Sequence, residues 1–257
     1  MTFKIATWNV NSLKVRLGHV LDWIKENKPD VLALQEIKLQ DIDFPEEEIA
    51  AAGYNVVFSG QKTYNGVAIL SKNVATDPVT DLDGLDDPQR RVLGATIDGL
   101  RIIDLYVPNG QSVDSDKYIY KLDWLQHLHE TLQSEMSKNP NLIILGDFNI
   151  APEDKDVHEP ALWEGKVLCS DKERAALRGI VDIGFADCFR LFEQDEKVFS
   201  WWDYRMNEFR RKRGLRIDLI FASHALKEKC IKCYVDIGPR KLERPSDHAP
   251  VVAEFEL

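Results

Sequence analysis

Hydrophobic positions along this chain follow two periods, and their alternation predicts its elements. Short continuous apolar runs, the mark of strands covered on both faces, fall at Phe3–Val10, at Asp30–Glu36 (DVLALQE), at Asn141–Ile150 (NLIILGDFNI) and at Arg216–Ser223 (RIDLIFAS). Helical spacing takes over between them. Leu17, Val20, Leu21 and Ile24 predict a helix over Arg16–Lys28 that Pro29 stops, and Leu122, Leu125, Leu128 and Leu132 form one stripe on a long helix over Ser115–Met136. A further helix is expected near Asp171–Asp182. Tyr54–Ser59 and Gly66–Lys72 read as paired strands, and Val92–Ile97 with Leu100–Val107 as a hairpin closed by Asp98-Gly99, a strong turn signal. The segment SDHAPVVAEFEL closes the chain. No linker, repeat or low-complexity tract interrupts this order, so one α/β domain over residues 1–257 is expected. The 44% hydrophobic content is enough for a large core.

The polar residues that end these runs bring chemistry into the picture. NLIILGDFNI replaces hydrocarbon with a carboxylate and a carboxamide at Asp147 and Asn149, and such a pair at the tip of a buried strand is costly unless solvated, ligated or paired. One GDxN alone is equally well explained by an Asx turn. The same change recurs, however. Asn9, Glu36, Tyr106, Asn109, Asp218, Asp247 and His248 all sit at or beside strand ends. Carboxylates, carboxamides, a phenol and an imidazole gathered at one sheet edge suit a hard cation and a phosphate group. Mg2+ is typically held by one or two carboxylates together with waters and substrate phosphate. Histidines and cysteines at zinc spacing are missing from the sequence, which argues against structural zinc.

The net charge of −10 argues at first against a nucleic-acid partner, because phosphate binding is driven by Lys and Arg. Placement matters more than the sum. Acidic residues cluster at Asp41–Glu48 and Asp77–Asp87, whereas Arg210, Arg211, Lys212 and Arg213 form one basic run and Arg240, Lys241 and Arg244 a second basic group. A solvated face explains such a run as well as a binding surface does. The four cysteines are too few and scattered for a disulfide framework, and Cys230-x-x-Cys233 reads as ordinary strand cysteines. With no apolar run long enough to span a bilayer and no signal-peptide zones at the N-terminus, a cytoplasmic location without membrane attachment is expected.

Seven segments, in order and over the whole chain, carry a family resemblance: TWNVNSL, LALQEIK, YVPNG, GDFNIAP, FSWWDYR, GLRIDLI and PSDHAPV. Together they resemble the exonuclease III family of Mg2+-dependent abasic-site endonucleases, within the deoxyribonuclease I-like endonuclease/exonuclease/phosphatase superfamily. The resemblance implies a four-layer α/β sandwich, two mixed sheets packed face to face and flanked by helices, with the active site at one end. It implies Glu36 as the principal metal ligand, with Asn9 and Asn11 close to the metal. Some relatives carry Asp in place of Asn11, which makes this site less anionic. Asp147 corresponds to the general base, oriented by Asn149. His248 corresponds to the histidine on the scissile phosphate, held by Asp218. Tyr106 and Asn109 would hydrogen-bond that phosphate, and Asp247 would bind a second metal or support the first. Mn2+ is expected to substitute for Mg2+.

Relatives in the superfamily act on phosphoinositides, sphingomyelin and DNA with nearly the same catalytic set, so substrate choice rests elsewhere. By resemblance, Trp201, Leu215 and Ile217 line an apolar pocket for an extruded abasic sugar, whereas Trp202 is expected in the core. Arg210 and Arg211 lie where a loop could grip a DNA strand. His158, in the loop APEDKDVHEPALW, stands where relatives carry a small residue or Asn, and either narrows the path of the strand or is simply solvated. The expected partner is double-stranded DNA with abasic sites or 3′ ends, bound by a monomer. The close alternative is an enzyme biased to 3′-phosphatase and 3′→5′ exonuclease work. More distant ones are a phosphodiesterase acting on another substrate and an inactive binding scaffold, which loss of Asp147 or His248 would have marked.

Overall fold

The computed structural model describes residues 2–257; Met1, part of the domain range expected above, lies outside the described residues. Twelve strands and six helices are laid out among them in chain order. The first part runs β1 (Thr2–Asn9), α1 (Leu13–Asn27), β2 (Val31–Gln35), α2 (Glu46–Ala51), β3 (Asn55–Ser59), β4 (Val67–Ser71), β5 (Thr76–Val79), β6 (Val92–Ile97) and β7 (Leu100–Tyr106). The second runs α3 (Asp116–Lys138), β8 (Leu142–Asp147), α4 (Pro160–Trp163), α5 (Asp171–Asp182), β9 (Phe185–Asp187), β10 (Asp218–Ser223), α6 (His224–Lys227), β11 (Cys230–Val235) and β12 (Val251–Glu256). The apolar runs and stripes fall on the elements expected of them. The short edge strands β5 and β9 carry weaker patterns and are not expected from the sequence, whereas β11 holds the two cysteines read as strand residues.

Two six-stranded sheets result, in the orders β11-β12-β1-β2-β4-β3 and β5-β6-β7-β8-β10-β9. Each holds one parallel pair, β1 with β2 and β7 with β8, among antiparallel neighbours. The continuous apolar runs exist because each central strand feeds two layers. On β8, Ile143 and Leu145 join the core between the sheets, while Leu142 and Ile144 join the one that also contains Trp124, Leu125, Leu128 and Leu132 of α3 and Leu177 and Ile180 of α5. On β2, Val31 and Ala33 face the other sheet, and Leu32 and Leu34 pack with Val20, Trp23 and Ile24 of α1. Three apolar seams therefore separate four layers, the deoxyribonuclease I-like sandwich. No helix among the described residues is long and apolar enough to cross a membrane.

Strand direction explains why the polar tips meet. The parallel registers pair Asn9 with Gln35 and Tyr106 with Asp147, bringing four strand C-termini to one edge. β10 starts antiparallel there, with Asp218 opposite Asp147, and β12 starts at Val251 opposite Thr7, so that His248 just precedes it. Ligand sites of α/β sheets lie at such carboxyl ends.

Candidate active site

A continuous polar network fills this edge and joins the two sheets. Asn9 Nδ2 donates to Glu36 Oε1 at 2.9 Å and to Asp147 Oδ2 at 2.9 Å. The Tyr106 hydroxyl donates to Glu36 Oε1 at 2.9 Å. Asn149 holds both oxygens of Asp147, its backbone N–H donating to Oδ1 at 2.9 Å and its Nδ2 to Oδ2 at 3.2 Å. Asn109 Nδ2 in turn donates to Asn149 Oδ1 at 2.9 Å. His248 Nδ1 lies 3.0 and 2.9 Å from the two oxygens of Asp218, and its Nε2 lies 3.8 Å from Asp147 Oδ2. The backbone is strained here: Asn11, Glu36 and Asn149 take φ of 45°, 52° and 49°, a left-handed region that costs a residue with a side chain. A glutamate in that conformation is unusual, and it swings the Glu36 carboxylate off the strand line toward Asn9 and Tyr106.

The electrostatics separate the roles. Burial raises the Asp147 carboxyl, and the nearby charges of Asp218 and Glu36 add to this. The His248 charge and the Asn9 hydrogen bond oppose it, leaving Asp147 at about 7. Burial is thus the largest cause, ahead of the neighbouring carboxylates. Burial lowers the pKa of His248, but Asp218 and Asp147 more than offset it and bring the imidazole up to about 10, so it is cationic at neutral pH. Burial and the Glu36 charge raise the Tyr106 phenol well above its ordinary value, making it a neutral donor rather than a base. Glu36 is pushed up by burial yet held below the usual carboxylate range by Lys38 and the Asn9 hydrogen bond.

The donor set fits a hard cation. Carboxylate oxygens of Glu36 and Asp147 lie within 4.8 Å of one another, and the cationic His248 stands beside them without a lone pair to offer a metal. The Lys38 ammonium sits 2.7 Å from Glu36 Oε2 and 2.6 Å from Asn11 Oδ1, so these two oxygens already share a positive group. Lys38 was not singled out in the sequence, where its only signal is its place two residues after Glu36. Asp247 uses Oδ1 to accept from Asn11 Nδ2 at 2.9 Å and Oδ2 to accept from Trp201 Nε1 at 3.1 Å, so it joins the polar network to the aromatic one.

Beside the network opens a pocket of about 300 Å³ whose walls include His158, Trp163, Trp201, Arg213 and Leu215. The Trp201 and His248 rings are 6.5 Å apart, so pocket and polar network adjoin. Ile217 is buried in the apolar cluster behind Trp201 and Leu215, and Trp202 is a core residue with Phe199 and Ala249. Arg210 and Arg211 are exposed on the loop leading back to Leu215, whereas Arg213 pairs with Glu159 at 2.7 Å. The second basic group needs a correction: Arg240 is buried, its guanidinium stacked over Trp202, Tyr204 and Phe209 and donating to the Ser246 carbonyl, so it belongs to the packing and not to a surface. Cys230 and Cys233 are buried on β11.

A sandwich of this kind, with a buried carboxylate base, a charged imidazole and a hard-cation donor set at one end, defines a phosphodiester hydrolase. The chain belongs to the endonuclease/exonuclease/phosphatase family, whose model matches residues 6–248, and within it to the exonuclease III group of metal-dependent nucleases. It is 36% identical to exodeoxyribonuclease III of Haemophilus influenzae over 98% of this chain and 100% of that protein. Among solved structures it is similar to the 3′ phosphatase NExo from Neisseria bound to a product DNA hairpin, at 46% identity and TM-score 0.98, covering 99% of this chain and 100% of that one. An AP endonuclease from Archaeoglobus fulgidus matches at 42% identity and TM-score 0.95, with the same coverage.

Proposed function

We propose that this protein is a Mg2+-dependent DNA-repair nuclease that hydrolyses phosphodiesters at abasic sites and processes 3′ ends of double-stranded DNA, acting as a monomer. The observation that carries the reading is the coupling of Asp247 and His248 to the aromatic pocket: Asp247 accepts from Trp201, and the Trp201 ring stands beside His248. A phosphodiester held against the polar network thus has its sugar next to an apolar recess.

In this reading Asp147 takes the proton of the attacking water, with Asn149 fixing both of its oxygens. His248, cationic and anchored by Asp218, offsets the charge that develops on the phosphate oxygens. Tyr106 and Asn109 supply neutral donors. A cation held by Glu36, with Asn9 and Asn11 beside it, would neutralise phosphate charge and help place the water. Oligonucleotides carrying an internal abasic site, a 3′-phosphate or a plain 3′ end test the reading directly, and hydrolysis of none of them refutes it. EDTA should abolish activity, and Glu36→Gln should raise the Mg2+ concentration needed for half-maximal rate, because a carboxamide is a poorer hard-cation ligand. Full activity after exhaustive chelation would exclude a metal-dependent site.

A second reading, bias toward 3′ ends, is favoured by His158. Its Nδ1 lies 3.2 Å from the Gly214 carbonyl and its ring packs edge-on against Trp163, 6.3 Å between centroids, so the imidazole forms part of the pocket wall. There it narrows the path of a strand that continues past an internal abasic site, while a 3′ end has no such strand. His158→Gly should then raise incision at internal abasic sites and leave 3′-phosphate removal nearly unchanged. An unaltered ratio of the two activities means that His158 has no part in the preference.

A further inference from the structure

Lys121 lies on the apolar stripe side of α3, and its side chain is entirely buried, as is that of its partner Glu173 on α5. A buried ion pair is weak evidence of stabilisation, since two apolar side chains of similar volume often do as well. The partners of this one point elsewhere. The Lys121 ammonium has three N–H groups and three acceptors: Glu173 Oε1 at 2.5 Å, the Asn149 carbonyl at 2.7 Å and the Asn109 carbonyl at 3.2 Å. Both carbonyls belong to site residues. Asn149 is the left-handed residue that grips Asp147, and Asn109 is the residue that grips Asn149.

The surroundings are built to hold this ammonium still. Glu173 accepts from the backbone N–H groups of Leu168 and Ser170 at 3.0 and 3.1 Å and from the Ser170 hydroxyl at 2.5 Å, all within the cap of α5. The Tyr118 and Ser170 hydroxyls are 2.6 Å apart, a second tie between α3 and the α5 cap one turn from Lys121. Gly110 has φ of 90°, and a Cβ there would stand 3.1 Å from Lys121 Cδ, so the loop after Asn109 runs tight against the lysine stem.

We infer that Lys121 is a positioning residue for the reaction: anchored by Glu173, it locks the loop after β7 and the loop after β8 together through the Asn109 and Asn149 carbonyls, and so sets where Asn149 holds the base. The inference rests on the proposed role of Asp147. Lys121 touches neither substrate nor reacting atoms, so its removal should act on turnover more than on binding. A misplacement of about 1 Å remote from the reacting atoms can cost on the order of 100-fold in rate.

The experiment compares the parent, Lys121→Met, the double variant Lys121→Met with Glu173→Gln, which avoids an unpaired buried carboxylate, and Asn149→Ala alone and combined with Lys121→Met. Circular dichroism and thermal melting select the folded variants, and kcat and KM are read on an abasic-site or 3′-phosphate oligonucleotide. The expected result is a fall in kcat of about 10- to 100-fold, with KM changed less than about threefold, in a folded Lys121 variant. In the Asn149→Ala background the Lys121 substitution should cost clearly less than in the parent, because the effect passes in part through that side chain. An unchanged kcat in a folded variant, or fully additive losses, overturns the inference. If the Lys121 variants do not fold, the same split is read on Glu173→Gln alone, and unchanged kcat there overturns it equally. A parent without nuclease activity, or an Asp147→Asn variant with parental turnover, would instead refute the functional reading beneath it.

Discussion

Asp147→Asn is expected to lower kcat by about 100- to 10,000-fold, the usual range for a general base, while leaving folding and DNA binding near those of the parent. The structure adds a reason to expect a small local cost as well. Asp147 accepts at both oxygens, Oδ1 from the Asn149 backbone and Oδ2 from the side chains of Asn9 and Asn149. Whichever way the new carboxamide turns, its NH2 faces one of these donors, a mismatch worth roughly 1–3 kcal/mol for a buried group. Loss of a buried carboxylate whose pKa is already raised to about 7 by its burial works in the other direction. Single-turnover rates with saturating Mg2+, beside a binding titration on abasic DNA, measure both effects. Parental turnover would rule out Asp147 as the base, and neither His248, its imidazole up at about 10, nor Tyr106, its phenol pushed far up, is a ready substitute.

Gly146→Ala should damage the protein most in stability. Gly146 has φ of 142°, and a Cβ built on it would stand 1.9 Å from the Leu105 carbonyl oxygen. That oxygen is backbone of β7, paired with β8 in the rung Leu105 to Gly146, next to the rung Tyr106 to Asp147. No side chain can rotate away to relieve the overlap, so the two strands must part. Conformational strain of roughly 1–3 kcal/mol and a comparable overpacking cost together reach a large share of the ordinary stability of a domain, about 5–15 kcal/mol. The urea midpoint should drop sharply, or the variant should fail to accumulate as soluble protein; an unshifted midpoint would mean that β7 and β8 do not approach as closely as described. Any folded remainder should also lose turnover, because the separation moves Tyr106 and Asp147 apart.

How far the sequence reaches is clearest at the strand tips. The run Leu142–Leu145 reads as a strand covered on both faces, and in the structure alternate residues do feed the inter-sheet core and the helix layer. Glu36, Asp147, Asp218 and His248 could be picked out because a charged or polar residue ending such a run must find water, a ligand or a partner. The seven ordered motifs are enough to imply the sandwich by family resemblance.

Other features depended on residues distant in sequence. Arg240 appears in the chain as one of a basic group, yet it is buried among Trp202, Tyr204 and Phe209, which only the return of the chain before β12 brings to it. Lys121 appears as a polar break in a leucine stripe and proves to be the buried cation between α3, α5 and two site loops. Glu36 carries no local mark of its left-handed backbone, which turns its carboxylate toward Asn9 and Tyr106. The sequence by itself determined which strands are buried and where their polar ends lie, because burial periodicity and the cost of an unpaired polar group act along the chain. The tertiary structure alone decided the partners, protonation and backbone strain of those groups, because charges and hydrogen bonds act across space between segments whose approach no local pattern encodes.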